Sequence, residues 1–280
     1  MEANSSLVGM IDNFVASRKV KLPAFNATAL RIQKEVANEE PDFRLIEKLI
    51  VSDQSLTAEV LHVSNSSFYR GLTQVATVRD ALIRLGIKEV SNIVTLVALQ
   101  HNFQSKNPAI HKIMGKLWRH SVGCAIGANW LANQTGLQAL AHETFTAGLL
   151  HDVGKLYVLK VMDDMKASGE IENPPSDRVI HEVMQNLHAD HGYSLMAHWN
   201  LPEKYCQVAR DHHLAEFDGN NFVLVLVRLA NQMCHKMGIG LNEDPSIVLM
   251  ATPEAAQLQL SEVDLARLEV RLEDSLVLAA

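Results

Sequence analysis

The sequence has little of several features that mark particular protein classes. Aromatic residues make up 5% of the 280 residues, and there are only three cysteines, at positions 124, 206 and 234. The cysteine number is odd and no pair has CxxC spacing, which argues against a disulfide framework. Each cysteine lies among apolar or helix-forming residues, so we expect three buried thiols and a reducing, cytoplasmic location.

Long apolar runs and dense basic stripes are also missing. No run approaches the ~18 residues that a membrane-spanning helix needs, and the N-terminal segment MEANSSLVG lacks a secretory pattern. With 25 basic and 32 acidic residues the net charge is −7, which disfavours non-specific binding to nucleic acid. These absences predict no membrane partner and no nucleic-acid partner.

What is present is helical periodicity along almost the whole chain. The stretch LIEKLIVSDQSLTAEVLHVSN repeats apolar residues at spacings of three and four. Residues 222–227 could form a strand on their own, but apolar character continues through Met233, so we interpret this segment as a buried helix. With 48% hydrophobic content the chain can bury a substantial core. The predicted fold class is all-α.

Two segments suggest how the chain is organised. The polar, turn-rich stretch at residues 168–177 predicts a surface loop. The C-terminal tail predicts an amphipathic helix whose buried stripe comprises Val263, Leu265, Leu268, Leu272 and Leu276. That stripe could pack on the parent domain or on a second copy of the chain, and we favour the parent domain while keeping a homodimer open.

Histidines are the most informative residues, because eleven of the thirteen follow Pro108. Imidazole and carboxylate groups on different helices of a bundle can converge on one divalent metal ion. The candidate ligands are His120, the adjacent pair His151 and Asp152, His191 and His212. His188 and His213 are each the weaker member of a histidine pair. Hydrogen-bonded core polar groups are the alternative interpretation.

Lys155 follows Asp152 by three residues, which places the two side chains near each other on a helix. The lysine could bind phosphate as a point charge, or it could simply pair with Asp152. If the chain is an enzyme, Asp152 and Lys155 are the candidate catalytic residues.

Several motifs in this chain resemble those of one known family. LLHDVGK is similar to the signature of the HD superfamily of metal-dependent phosphohydrolases, and the order of histidines resembles its HD-GYP branch. The N-terminal half is more similar to the HDOD domain, through KLPAFNATALRIQKEV, LIVSDQSLTAEVLHVSNSSFYR and TVRDALIRLGIKEVSNIV. The segment DHGYSLMAHWNLPEKYCQVARDHH resembles the end of that domain.

The resemblance implies a multi-helix HD-type bundle with an HDOD domain at residues 15–215. Its N-terminal half would span 15–107 and its HD-like half 108–215, with C-terminal helices at 216–280 packing on the HD-like half. HD enzymes complete their ligand set with an aspartate on a later helix, and Asn231 stands at that place here. An amide oxygen ligates weakly and adds no charge, so this departure disfavours hydrolysis.

Two functions therefore remain open. The first is a bacterial regulatory or signal-transduction module that binds a protein partner or small ligand and retains a partial metal site. The second is a metal-dependent phosphohydrolase acting on a nucleotide or cyclic dinucleotide. Either would accommodate a divalent ion, with Mn, Fe, Zn or Mg as candidates, and a purely structural metal clamp between helices is an intermediate case.

Overall fold

A computed structural model describes residues 7–17, 23–69, 71, 73–171 and 175–279. These residues form helices and no strand, which confirms the predicted all-α class. The α-helices are α1 (Leu7–Ala16), α2 (Ala27–Val36), α3 (Phe43–Val51), α4 (Gln54–Ser64), α5 (Val78–Leu85), α6 (Ile87–Gln100), α7 (Pro108–Gln134), α8 (Ala141–Leu150), α9 (Val153–Ala167), α10 (Asp177–His198), α11 (Glu203–Asp211), α12 (Phe222–Lys236), α13 (Pro253–Gln257) and α14 (Glu262–Ser275). Short 3₁₀ turns lie at Gln138–Leu140, Leu249–Ala251 and Leu276–Ala279.

Three polar motif residues of the N-terminal half make local structural contacts. The Asp53 carboxylate accepts the backbone N–H of Leu56 and so caps α4. The Asn65 side chain exchanges two 2.9 Å hydrogen bonds with the backbone of Val75, which closes the loop after α4. The Tyr69 hydroxyl donates to Glu89 at 2.6 Å. Three of the motif residues thus have structural explanations.

Helix α7 is the centre of the second half and packs against α8, α12 and α14. Two glycines allow unusually close helix crossings. A Cβ on Gly148 of α8 would lie 2.7 Å from the Cys124 carbonyl oxygen of α7. A Cβ on Gly154 of α9 would lie 1.9 Å from the His188 carbonyl oxygen of α10. Both crossings therefore depend on the missing methyl group.

The two halves share one continuous apolar core. Polar contacts also join them: the ring nitrogens of His142 pair with the side-chain amides of Asn92 and Gln33 at 2.7 and 3.1 Å. The Trp199 indole N–H donates to the Pro23 carbonyl oxygen at 2.7 Å. The domain boundaries expected from the resemblance stay a prediction.

The remaining predictions about elements have mixed outcomes. Residues 222–227 are helical, as predicted, and lie at the start of α12. In α14 the side chains of Leu265, Leu268 and Leu272 are buried. The predicted stripe is wrong at its ends, since Val263 is 59% exposed and Leu276 is 40% exposed. The buried part of the stripe faces α7 of the same chain, as shown by the contact of Leu268 and Leu272 with Gly127.

Replacing Gly154 with alanine should displace α10 from α9 and lower the free energy of unfolding by about 2 kcal/mol or more, because overpacking forces backbone shifts. Gly115→Ala is the matched control, since a Cβ there meets nothing within 4 Å on the same kind of helical backbone. The control should be neutral or stabilising. Equal chemical-denaturation midpoints for the two variants would contradict the close crossing.

Candidate metal centre

Asp152 lies at the junction between α8 and α9, with its side chain 2% exposed. The Lys155 ammonium, one turn along α9, donates to Asp152 Oδ2 at 2.6 Å and is itself buried. A buried carboxylate is costly unless charges and hydrogen bonds compensate it. Lys155 supplies the charge for one oxygen, while Asp152 Oδ1 has no hydrogen-bond partner.

Four buried imidazoles surround this carboxylate. His120 Nε2 and His151 Nε2 each lie 3.5 Å from Asp152 Oδ2. On the other side, His188 Nε2 lies 3.6 Å and His212 Nε2 lies 3.4 Å from Asp152 Oδ1. The five residues come from α7, the α8–α9 junction, α10 and the C-terminal end of α11.

The same four histidines use their other ring nitrogen in the same way. Each Nδ1 lies within hydrogen-bond distance of a backbone carbonyl oxygen, which fixes Nδ1 as the N–H donor. In the order His120, His151, His188 and His212 these acceptors are Ile239 at 3.0 Å, Gly148 at 2.7 Å, Met184 at 2.9 Å and Ala209 at 2.9 Å. In a neutral ring the Nε2 atom then carries a lone pair.

Burial keeps these rings neutral. It lowers the pKa of His120 and His151 from 6.5 to about 3, and that of His212 to about 4. Burial also lowers the pKa of His188. For Asp152, burial alone would raise the pKa, but the Lys155 ammonium opposes it and holds the pKa well below its usual range. An anionic carboxylate therefore faces four lone pairs.

This arrangement fits a bound cation. The N–O separations of 3.4–3.6 Å are too long for good hydrogen bonds, and neutral Nε2 atoms have no proton to donate. Tetrahedral coordination at the usual metal–ligand bond lengths separates two ligand atoms by roughly 3.4 Å. The ligand atoms His151 Nε2, His188 Nε2 and His212 Nε2 also have no hydrogen-bond partner. Backbone-anchored histidines of this kind are typical of metal sites.

Two ligand groups share Asp152. His188, His212 and His213 form one group with it, and His120 and His151 form the other. Lys155 already occupies the Oδ2 side, so the Oδ1 group is the better candidate for one cation. His213 is the exposed member of that group, and it gives the centre an edge that reaches solvent.

The structure corrects the predicted ligand set at one position. His191 lies outside the cluster, where its Nε2 is 3.4 Å from Asp12 of α1 and its ring packs beside Tyr157. His188 takes the place expected for His191. The two histidines lie three residues apart on α10, but His188 Nε2 points to Asp152 Oδ1 whereas the His191 ring points to α1 and Tyr157.

Sequence reasoning ranked His188 and His213 as the weaker members of their pairs, yet both lie in the cluster. A signal for His188 was available: Gly154 and Gly192 form the close crossing of α9 and α10, and His188 lies one turn from Gly192 on that face. His213 sits beside the ring of His212, with ring centroids 4.0 Å apart.

Asn231 is buried on α12, with 4% of its surface exposed, and its Oδ1 has no hydrogen-bond partner. A buried amide oxygen without a partner is unusual. Its predicted role as a weak ligand stays a prediction.

Surrounding groups hold the ligands in position. Gly240, at φ 128°, lets the loop after α12 pass so close to His120 that a Cβ on Gly240 would lie 2.9 Å from the His120 Cβ. The Arg228 guanidinium donates to the His212 carbonyl oxygen at 2.8 Å and to the buried Glu254 at 2.6 Å. These contacts fix the backbone on two sides of the centre.

Comparison with known proteins agrees with this architecture. The profile of the HDOD domain matches residues 22–215. The chain belongs to the HDOD domain family. The described residues contain no helix with the length and hydrophobicity needed to cross a membrane.

Individual relatives are distant. An uncharacterized protein of Treponema pallidum (strain Nichols) is 27% identical over 205 residues, which cover 71% of this chain but only 39% of that protein. This HDOD chain thus spans well under half the length of that relative.

Three solved structures share the fold. An HDOD domain protein of unknown function from Geobacter sulfurreducens superposes with a TM-score of 0.74 at 23% identity, covering 96% of this chain and 94% of that one. A "Putative metal-dependent phosphohydrolase" from Shewanella amazonensis SB2B gives 0.68 at 18% identity, covering 95% and 97%. A "Putative signal transduction protein" from Marinobacter aquaeolei VT8 gives 0.69 at 23% identity, covering 99% and 66%. At these identities the likeness establishes the fold alone.

The lowered histidine pKa values predict acid sensitivity of the metal-free protein. Above pH 6.5 the cluster histidines are neutral in both the folded and the unfolded chain. As the pH falls from 6.5 towards 4, only the unfolded chain takes up protons at His120, His151 and His212, so the free energy of unfolding should fall by about 1.4 kcal/mol per pH unit for each of these three histidines.

Urea unfolding of chelator-treated protein at pH 7.5, 6.0 and 5.0 measures this slope. His212→Asn should give a shallower slope, whereas the variant of an exposed histidine, His111→Asn, should keep the full slope. A free energy of unfolding that does not change between pH 7.5 and 5.0 would contradict the prediction, because it would mean that the cluster histidines take up protons equally well in the folded chain.

Proposed function

We propose that this HDOD chain is a metal-binding regulatory module of signal transduction, in which one divalent cation sits at Asp152. The observation that carries the proposal is the convergence of four Nε2 lone pairs on one buried carboxylate. A cation at the Oδ1 side would be held by Asp152, His188 and His212, with His213 at the solvent edge.

The donor set narrows the choice of metal. Imidazole-rich sites suit Zn, Fe and other transition ions, whereas Mg favours oxygen ligands and keeps much of its water. Zn and Fe are therefore the first candidates, Mn comes next, and Mg is the weakest of the four predicted ions.

A regulatory role follows from where the ligands come from. The cation would join the α8–α9 junction, α10 and the end of α11, which the chain otherwise holds through helix packing. Its binding or loss would change how firmly these helices are held together, and a protein partner or small signalling ligand could recognise that difference. A homodimer and the cytoplasmic location remain predictions.

A phosphohydrolase is the second candidate, and two observations favour it. The Lys155 ammonium lies in the centre, where it could hold a phosphate oxygen, and His213 leaves one edge open to solvent. When bound, the metal would polarise a phosphoryl oxygen and lower the pKa of coordinated water. Asn231 disfavours this candidate, because it contributes no charge where HD enzymes have an aspartate.

Elemental analysis of the purified native protein tests the metal centre. We expect about one transition-metal ion per chain, lost in Asp152→Ala, because the carboxylate is the only charged ligand of the proposed set. Asp190→Ala, at an exposed aspartate of the same region, should retain the metal. Native protein that stays metal-free after incubation with Zn, Fe and Mn would overturn the proposal.

A phosphodiester assay separates the two candidates. The regulatory role predicts no turnover of bis(p-nitrophenyl) phosphate or of cyclic dinucleotides by the metal-loaded protein. The hydrolase role predicts turnover that falls at least about 100-fold in Lys155→Gln while the metal content is unchanged. Lys160→Gln, an exposed contact on α9, is the control and should leave any turnover unaffected.

A further inference from the structure

Two cysteines face each other beside the histidine cluster, across the crossing of α7 and α12. Cys124 and Cys234 are both fully buried, at 0% exposure. The helices come close here because Gly123 leaves room for the Cys234 sulfur, which would lie 3.0 Å from a Cβ at that position. His120 precedes Cys124 by one turn, so both side chains lie on the same face of α7.

The sulfur atoms and one imidazole have the spacing of a ligand set. His120 Nε2 lies 3.6 Å from Cys124 Sγ, and the three ligand atoms of His120, Cys124 and Cys234 all lie within 4.8 Å of one another. For a tetrahedral ion with Zn–N and Zn–S bonds of the usual length, nitrogen and sulfur are separated by roughly 3.6 Å.

The His120 ring is oriented so that its Nε2 atom can bind an ion held by the two cysteines. Its Nδ1 is occupied by the Ile239 carbonyl oxygen, and its Nε2 lies equally close to Cys124 Sγ and Asp152 Oδ2, at 3.6 and 3.5 Å. One lone pair can bind only one ion, so His120 can serve the thiols or the carboxylate, but not both at once.

Charge favours an ion between the thiols. A divalent ion would displace two thiol protons, and the resulting unit of one dication, two thiolates and one neutral imidazole carries no net charge. A neutral unit avoids the large cost of placing an isolated charge in this apolar crossing. Soft thiolate ligands select zinc and similar ions over Mg or Mn.

Cys206 shows what a structural cysteine looks like in the same chain. It is almost as buried, at 1% exposure, but its sulfur lies beside the backbone carbonyl oxygens of Leu201 and Pro202, at 3.9 and 3.7 Å. It belongs to none of the metal-ligand groups found in the described part of the chain.

We propose that Cys124, Cys234 and His120 form a thiophilic metal site that takes a zinc-like ion and competes with Asp152 for His120. The site is distinct from the cation position proposed at Asp152 Oδ1, because neither cysteine nor His120 belongs to that group of ligands. A thiophilic ion bound here would withdraw His120 from the carboxylate.

Cobalt(II) is the probe, because thiolate-to-cobalt charge transfer absorbs strongly in the near ultraviolet and imidazole or carboxylate ligation does not. The protein is produced in cobalt-supplemented medium so that the ion is present while the chain folds. We expect the band in the wild-type protein and its loss in both Cys124→Ser and Cys234→Ser. Cys206→Ser, the matched control, should retain it.

Asp152→Ala separates this site from the carboxylate centre. The band should persist in that variant although the total cobalt content falls. Wild-type protein without the band, whether or not it contains cobalt, would overturn the thiolate site, and so would a band that survives in both single-cysteine variants. Cobalt retained without the band would be consistent with an ion at the Asp152 centre alone.

Circular dichroism and the thermal midpoint verify that each variant is folded. An alanine variant replaces any serine variant that fails to fold.

Discussion

The burial of one carboxylate, that of Asp152, constrains most of the second half of this molecule. A carboxylate this far from water costs several kcal/mol unless its environment compensates it. Lys155 compensates one oxygen directly. The other oxygen faces imidazoles whose only protons are already committed to backbone carbonyls. The metal cation proposed above would supply the partner that this oxygen and the neighbouring lone pairs lack.

The architecture can be understood as a support for this carboxylate. The Gly148 crossing brings α8 against α7, and the Gly154 crossing brings α9 against α10, so that His120, His151 and His188 reach one point. Carbonyl oxygens orient the rings from behind. The two glycine crossings and the carbonyl acceptors are all backbone features. The positions of the ligand imidazoles are therefore set by the backbone, and most of the surrounding side chains contribute apolar packing.

Much of this could be predicted from the sequence. The period of the apolar residues gives the helices, and a His–Asp pair between two apolar helices identifies the centre. For the choice between His188 and His191 the sequence offered only the indirect signal of Gly154 and Gly192, because the choice depends on the rotation of α10 about its axis, which the contact between these glycines sets. The prediction for the C-terminal stripe failed at its ends: Val263 in the first turn of α14 is exposed, and the chain forms a 3₁₀ turn from Leu276, where Leu278 is buried in place of Leu276.

The N-terminal motif residues illustrate the opposite case. Asp53, Asn65 and Tyr69 were informative as a family pattern, yet their contacts are a helix cap, a loop closure and a tether to α6. Sequence patterns report that a residue type is needed without reporting whether the need is chemical or architectural. Only the hydrogen-bond partners distinguish the two.

Helix α8 has a consequence that concerns mechanics rather than chemistry. His142, in the first turn of α8, hydrogen-bonds to Gln33 and Asn92 of the N-terminal half. At its other end α8 leads directly into His151 of the cluster. An α-helix of this length is a stiff rod of about 15 Å. Rotation of the rod about its close contact with α7 would move its two ends in opposite directions. One short helix, held against α7 at Gly148, thus joins the N-terminal half directly to the histidine cluster.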